Sequence, residues 1–245
     1  LGEDERGKQY EQDLEKNSIY VVNKFHHESH RTGRCLVFIT PNSERTMGTY
    51  LGASEMLEFS MDFMDVVNNS KILFTEGYQF TSDQNFKAFL SVLENTDPNV
   101  QLALSLSDPF VVSNFKSRFE DVFSKRIVDY VFCNKEEAIA MAGENFVEGL
   151  GRISKNFVVT DGANSSVISE EGSISEIEAH AVKAIDSNGA GDIYAGSVLH
   201  KIVQGKNFRK ACEFGNFASS IIVQEKSPRL SVEGYKNLQE QFEHL

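Results

Sequence analysis

Short unbroken apolar runs alternate with stretches of helical spacing over most of this chain. The runs at 72–75, 100–105, 128–133 and 157–160 are almost continuously apolar, as strands covered on both faces are. Between them the spacing predicts helices over 60–67, 82–93, 110–123 and a short one after Asn134; in the second, Phe86, Phe89, Leu90 and Leu93 recur at helical intervals. This order predicts an α/β fold with a mostly parallel sheet and helices on both sides. Two further runs, 165–169 and 174–178, read as a hairpin around 170–172. A β-type run at 181–185 precedes helices over 193–203, closing at Gly205, and 208–224. Ahead of residue 60 the pattern differs. A charged helix over 8–16 is followed by strands at 19–25, 34–40 and 45–51, with Pro41-Asn42-Ser43 as turn chemistry. That cluster predicts a small antiparallel flap.

Length and charge narrow the function classes. The 245 residues suffice for one sizeable core, so the expectation is a single domain over 1–245 that carries the flap within about 19–51. The net charge of −12, with no basic run among aromatics, excludes nucleic acid as the expected partner. Cys35, Cys133 and Cys212 lie far apart without C-x-x-C spacing, which argues against a disulfide framework or a zinc site. A reducing cytoplasm and no membrane partner are expected, since no uncharged run approaches the ~20 residues of a spanning helix. His26, His27 and His30 around Glu28 read as a polar turn rather than as metal ligands.

Ligands of such sheets sit beyond the carboxyl ends of the strands. Asn134, the 161–163 turn and the stretch Asp186-Ser187-Asn188-Gly189-Ala190-Gly191-Asp192 all fall at ends of that kind. In the last, small residues open a helix whose free amides favour an anion, and Asp192 is placed to accept a proton. Amides and base together are what phosphoryl transfer to a hydroxyl requires. A glycine turn whose aspartates merely cap the helix has the same spacing.

The stretch 186–196, ending Ile193-Tyr194-Ala195-Gly196, resembles the D-[TS]-x-G-A-G-D-x-[FY]-x-[GA]-G pattern of the ribokinase and adenosine kinase family, the phosphofructokinase-B superfamily. The resemblance implies a ribokinase-like three-layer α/β/α fold with a small β lid. It assigns the base to Asp192, the anion hole to Gly189, Ala190 and Gly191, and a monovalent cation such as K+ to Asp186. Asn134-Lys135-Glu136-Glu137 resembles the family's N-x-x-E motif, which places Asn134 and Glu137 around Mg²⁺ and the phosphates of ATP. The same spacing is a capping-box variant, and both roles can coexist. The run 158–163 resembles the V-T-x-G-x-x-G turn against the nucleotide, through Thr160 and Gly162, but Ser165 stands where the last glycine belongs. Asn216, in F-G-N-F-A, resembles an Asn near the adenine, or serves as a buried Asn satisfying its neighbours. Loop 224–229 lacks the family's glycine, which leaves potassium dependence open.

Upstream, Thr32-Gly33 and Gly52-Ala53 resemble the pairs that bracket the lid. Arg45 matches an Arg that some members point at the phosphates, with a surface Arg as the alternative. Phe110, in S-D-P-F, resembles a Phe beside the nucleoside base, with a core Phe as the alternative. Leu1-Gly2-Glu3-Asp4 aligns past the family's opening strands and its G-G-x-x-x-N stretch, so the resemblance implies a chain lacking that segment and half its acceptor pocket. The implied function is an ATP-dependent kinase acting on a primary hydroxyl of a sugar or nucleoside; separately, the exposed flap strands hint at a homodimer through the lid. A nucleotide-binding regulatory protein of the same fold without turnover is the alternative.

Overall fold

The computed structural model describes residues 1–22, 26–39, 45–59 and 61–243. They form two compact units, Leu1–Ser70 with Gln79–Val100, and Lys71–Tyr78 with Gln101–Leu245.

The first unit opens on α1 (Glu5–Lys16), which starts where it does because Asp4 caps it. The Asp4 carboxylate accepts from Gly7 N at 2.9 Å, and also from Thr32 Oγ1 at 2.7 Å and Thr32 N at 2.8 Å. One side chain therefore fixes both the helix start and the strand approach at Thr32. Strands β1 (Arg34–Ile39) and β2 (Arg45–Tyr50) pair antiparallel from Arg34↔Tyr50 to Ile39↔Arg45. Gly52 leaves this pair with φ +55°, and a Cβ there would run into the Arg31 carbonyl oxygen. The strand expected at 19–25 is not found over 19–22, and 23–25, like the expected turn at 41–43, lie outside the described residues. Helices α2 (Met61–Asn68) and α3 (Asp83–Asn95) complete the unit. Buried Asn85 accepts from Leu57 N and donates to Ser54 O and Gln79 Oε1, tying α3 to the chain before α2.

The second unit is a six-stranded sheet in the order β3 (Ile72–Glu76), β4 (Gln101–Ser105), β5 (Val128–Asn134), β6 (Ser154–Asp161), β7 (Asn164–Glu170), β8 (Ser173–Ile177). Pairing is parallel from β3 to β6 and antiparallel from β6 to β8. In β5 every residue from Val128 to Cys133 is buried, because helices cover both faces. On one face α7 (Ala190–Val203) and α8 (Phe208–Ile222) pack against Tyr130, Phe132, Val158 and Ile168 through Tyr194, Ala195, Val198, Ala211 and Cys212. Helices α5 (Lys135–Ala142) and α6 (Phe146–Ile153) pack on β5 and β6, and α4 (Pro109–Lys125) packs on α5. Last, α9 (Val232–Glu243) buries Leu238 and sets Phe242 against Phe214 and Phe217.

The 181–185 run is not a strand. Val182 and Ile185 stay exposed, and the backbone N–H of Ile185 turns instead to Val223 O at 2.7 Å. No helix among the described residues is long and apolar enough to cross a membrane.

Candidate active site

Gly189 caps α7 with φ +76°, in the left-handed region that glycine favours. A Cβ there would stand 2.6 Å from Pro228 O, so close approach to the 228 loop also demands glycine. The loop before it is held by Asn188 N on Asp186 Oδ1 at 2.9 Å, and by Ile185 N and Asp186 N on Val223 O. From α8, Ser219 Oγ holds Ala190 O at 2.9 Å. Asp192 thus falls in the first turn of a rigidly anchored helix. Amides in a first turn have no intrahelical acceptor. That of Ala190 leans on Ser187 O at 3.3 Å, while the N–H groups of Gly191 and Asp192 have no backbone acceptor among the described residues.

Asn134 ends β5 and caps α5, and the full capping box is present. Asn134 Oδ1 accepts from Glu137 N at 2.9 Å, while Glu137 accepts from Asn134 N at 3.0 Å and Nδ2 at 2.6 Å. Glu137 is buried, and burial pushes its carboxyl up to about 7, with Asp108 and Glu136 adding to the shift against the Asn134 amide. Such a carboxylate gains from any cation brought to it. Thr160 lies opposite Asn134 in the β5–β6 ladder, with its hydroxyl 3.4 Å from Cys133 O. Next to it Asp161 pairs with Lys135 at 2.9 Å, and Gly162 turns the chain with φ +57°.

Three residues at strand ends were not singled out by sequence: Glu76, Tyr78 and Asp108. Glu76 ends β3, and its carboxyl is raised by burial and then by Asp192. The Tyr78 phenol is pushed up to about 12 by partial burial, then by Asp108, Glu137, Glu76 and Asp192. Glu76 closes β3, Asp108 lies just past β4 and Glu137 just past β5, so these carboxyl groups stand at the carboxyl ends of neighbouring strands. Asp108 follows Ser107, whose φ of +74° is strained for a residue with a side chain, and caps α4 by accepting from Phe110 N at 2.7 Å. Strain at the crest of a sheet is a mark of functional sites; the sequence reading took the S-D-P-F stretch there for its Phe alone.

The remaining expected residues divide. Phe110 is exposed, not a core residue, at the same strand-end crest. Asn216 is buried on α8 and donates to Glu178 O at 2.6 Å, so it anchors the chain just after β8. Arg45 begins β2 in the first unit. Among the described residues no group of three or more His, Cys, Asp or Glu is disposed to hold a metal ion by itself.

A family model described as pfkB family carbohydrate kinase matches residues 1–234. Adenosine kinase 1 of Arabidopsis thaliana is 26% identical over 250 residues, which cover 91% of this chain and 70% of that protein. The crystal structure of adenosine kinase from Sinorhizobium meliloti superposes with a TM-score of 0.88 at 27% identity, over 98% of this chain and 76% of that one. A probable sugar kinase from Rhizobium etli CFN 42 superposes equally well, at 0.88 and 26% identity, over 99% and 75%.

Proposed function

The chain belongs to the pfkB family of carbohydrate kinases, and on that premise we propose a nucleoside as its acceptor and Asp192 as its general base. It is an ATP-dependent phosphotransferase of ribokinase-like fold whose acceptor is an alcohol group of a sugar or nucleoside. The observation that supports the assignment of the base is the anchored mouth of α7, where Asp192 stands in the first turn with amides that have no backbone acceptor among the described residues.

In this reading the acceptor oxygen bonds to the γ-phosphorus as the bond to the bridging oxygen of ADP breaks, and the proton passes to Asp192. Gly189, Ala190 and Gly191 form the turn whose amides take up charge developing on the transferred group, that of Ala190 by giving up its 3.3 Å contact to Ser187 O. Asn134, Glu137, Thr160, Gly162 and Asn216 serve the nucleotide side. Glu137 fits Mg²⁺, because it is a buried oxygen donor crowded by like charge; one carboxylate sharing the ion with substrate phosphates is the usual arrangement for this metal. Bound there, Mg²⁺ would neutralise phosphate charge. Asp186 is the residue for a monovalent cation such as K+. Arg45 and Phe110 serve the substrates, Phe110 by offering an exposed ring to a base.

A nucleoside is favoured over a free sugar by that ring and by the adenosine kinases among the relatives. The same reading takes residues 1–245 as one kinase domain, β1 and β2 as its lid and as the contact of a homodimer, and the cytoplasm as its compartment.

The test is ADP release by the full-length protein with Mg-ATP and a panel of adenosine, inosine, ribose and fructose, with Asp192→Asn in parallel. Adenosine-dependent release that collapses in the variant is expected. Preference for a sugar would move the acceptor assignment, and turnover surviving in the variant would remove Asp192 as base.

A further inference from the structure

The parallel strands β3 to β6 lead into residues 76–78, 106–108, 134–137 and 161–163, which contain Glu76, Asp108, Glu136, Glu137 and Asp161 but a single basic residue, Lys135. Lys135 stands at the first position of α5, where a cation opposes the helix dipole. Asn134 lies opposite Thr160 in the β5–β6 ladder, so Lys135 and Asp161 are the next residue along each chain. Their ion pair, at 2.9 Å, bridges the two strand-to-turn junctions to which the kinase reading assigns the nucleotide, Asn134 with Glu137 on one side and Thr160 with Gly162 on the other.

The Lys135 side chain is 51% exposed and that of Asp161 32%. Pairs so open to water contribute little to stability, because solvent screens them and two side chains lose freedom. The fold therefore does not depend on this pair, and the ammonium changes partners at small cost. There is room for a partner: a Cβ on Gly162, the residue after Asp161, would meet nothing within 4 Å. A neutral hydroxyl does not compete with a carboxylate for an ammonium group, whereas a phosphate oxygen, itself anionic, does. Among the reactants of a kinase, the charges here select the polyphosphate.

We propose that Lys135 is a phosphate-binding residue of the nucleotide site and that Asp161 competes with the nucleotide for it, so that on ATP binding the Lys135 ammonium leaves the Asp161 carboxylate for a phosphate oxygen. The inference rests on the kinase reading above and deepens its nucleotide side. Asp161 holds the ATP affinity below the level that Lys135 alone would give.

The test titrates ATP with Mg²⁺ into the full-length protein by calorimetry, without acceptor, for wild type, Lys135→Ala, Asp161→Asn and the double variant, and then measures both KM values of each. Lys135→Ala weakens ATP binding about threefold to tenfold. Asp161→Asn tightens it about twofold to fivefold, because the ammonium no longer has a competing carboxylate. Once Lys135 is replaced, Asp161→Asn tightens ATP less than it does in wild type. The acceptor KM and the melting temperature stay at wild-type values throughout. Unchanged ATP affinity in both single variants makes this an idle surface pair, which overturns the proposal and leaves the kinase reading standing. Weaker ATP binding in Asp161→Asn makes the pair a prop for the turn and overturns the exchange. A gain from Asp161→Asn of equal size with and without Lys135 reduces Asp161 to simple repulsion of the phosphates, and overturns the exchange as well. A wild-type protein that binds no ATP overturns the kinase reading, and this inference with it.

Discussion

Single side chains in this protein carry well-separated tasks. With Asp192 as the proposed base, Asp192→Asn removes the proton-accepting charge while keeping the shape of the first turn of α7, and kcat is expected to fall by about 10²- to 10⁴-fold. The main-chain amides at the helix mouth are untouched, so ATP binding measured by calorimetry stays near wild type; joint loss of binding and turnover would instead point to a collapsed helix mouth. Asp4 works on stability instead. Hydrogen bonds from the Thr32 hydroxyl, the Thr32 amide and the Gly7 amide hold its carboxyl at about 2, below the ordinary 3.8. A carboxyl depressed in the folded state contributes stability that is present above 3.8 and is lost as pH falls through about 2. Asp4→Asn therefore melts below wild type near neutral pH, and the deficit shrinks as acid protonates Asp4 in the wild type. Thermal unfolding followed across that range checks it. A deficit independent of pH would mean that the charge of Asp4 plays no part.

At the scale of elements, the mouth of α7 separates two glycines that look alike in sequence. Gly189→Ala must hold φ +76° and place a Cβ 2.6 Å from Pro228 O, so it costs about 1–3 kcal/mol and lowers the melting temperature. Gly191→Ala meets nothing within 4 Å and has an ordinary φ, so the fold keeps its stability. Melting the two variants side by side decides the matter, and equal losses would mean that the 228 loop does not press on Gly189. The turn and cap geometry of the 186–192 stretch and of Asn134 was legible because each opens a helix within a few residues, where spacing alone fixes neighbours. β5 was legible because burial on both faces leaves an unbroken apolar run. The 181–185 run was misleading, since β propensity makes a strand only where a partner edge is available, and here Ile185 finds Val223 instead. Helix α6 went unread because Gly149 and Gly151 weaken its helical signal, while Leu150, fully buried, holds it in place. Glu76, Tyr78 and Asp108 went unread for a different reason. They come together through the order of strands in the sheet, and a single sequence does not display that order.

For the molecule as a whole, the open question of assembly falls on β1 and β2. A two-stranded ribbon is marginal by itself, and this one leaves apolar side chains exposed on both faces. Leu36 and Phe38 lie on one side and Val37 and Met47 on the other, each at least 40% exposed. Its outer edges also carry unpaired backbone groups, which invite pairing. A second copy of the chain, offering the same ribbon about a two-fold axis, covers both edge and face at once. The homodimer proposed above makes a definite forecast. Sedimentation equilibrium gives a dimer for the wild-type protein, and Leu36→Ser with Phe38→Ser gives a monomer whose melting temperature no longer depends on protein concentration. A wild-type protein that stays monomeric at the highest concentrations reached would remove the dimer.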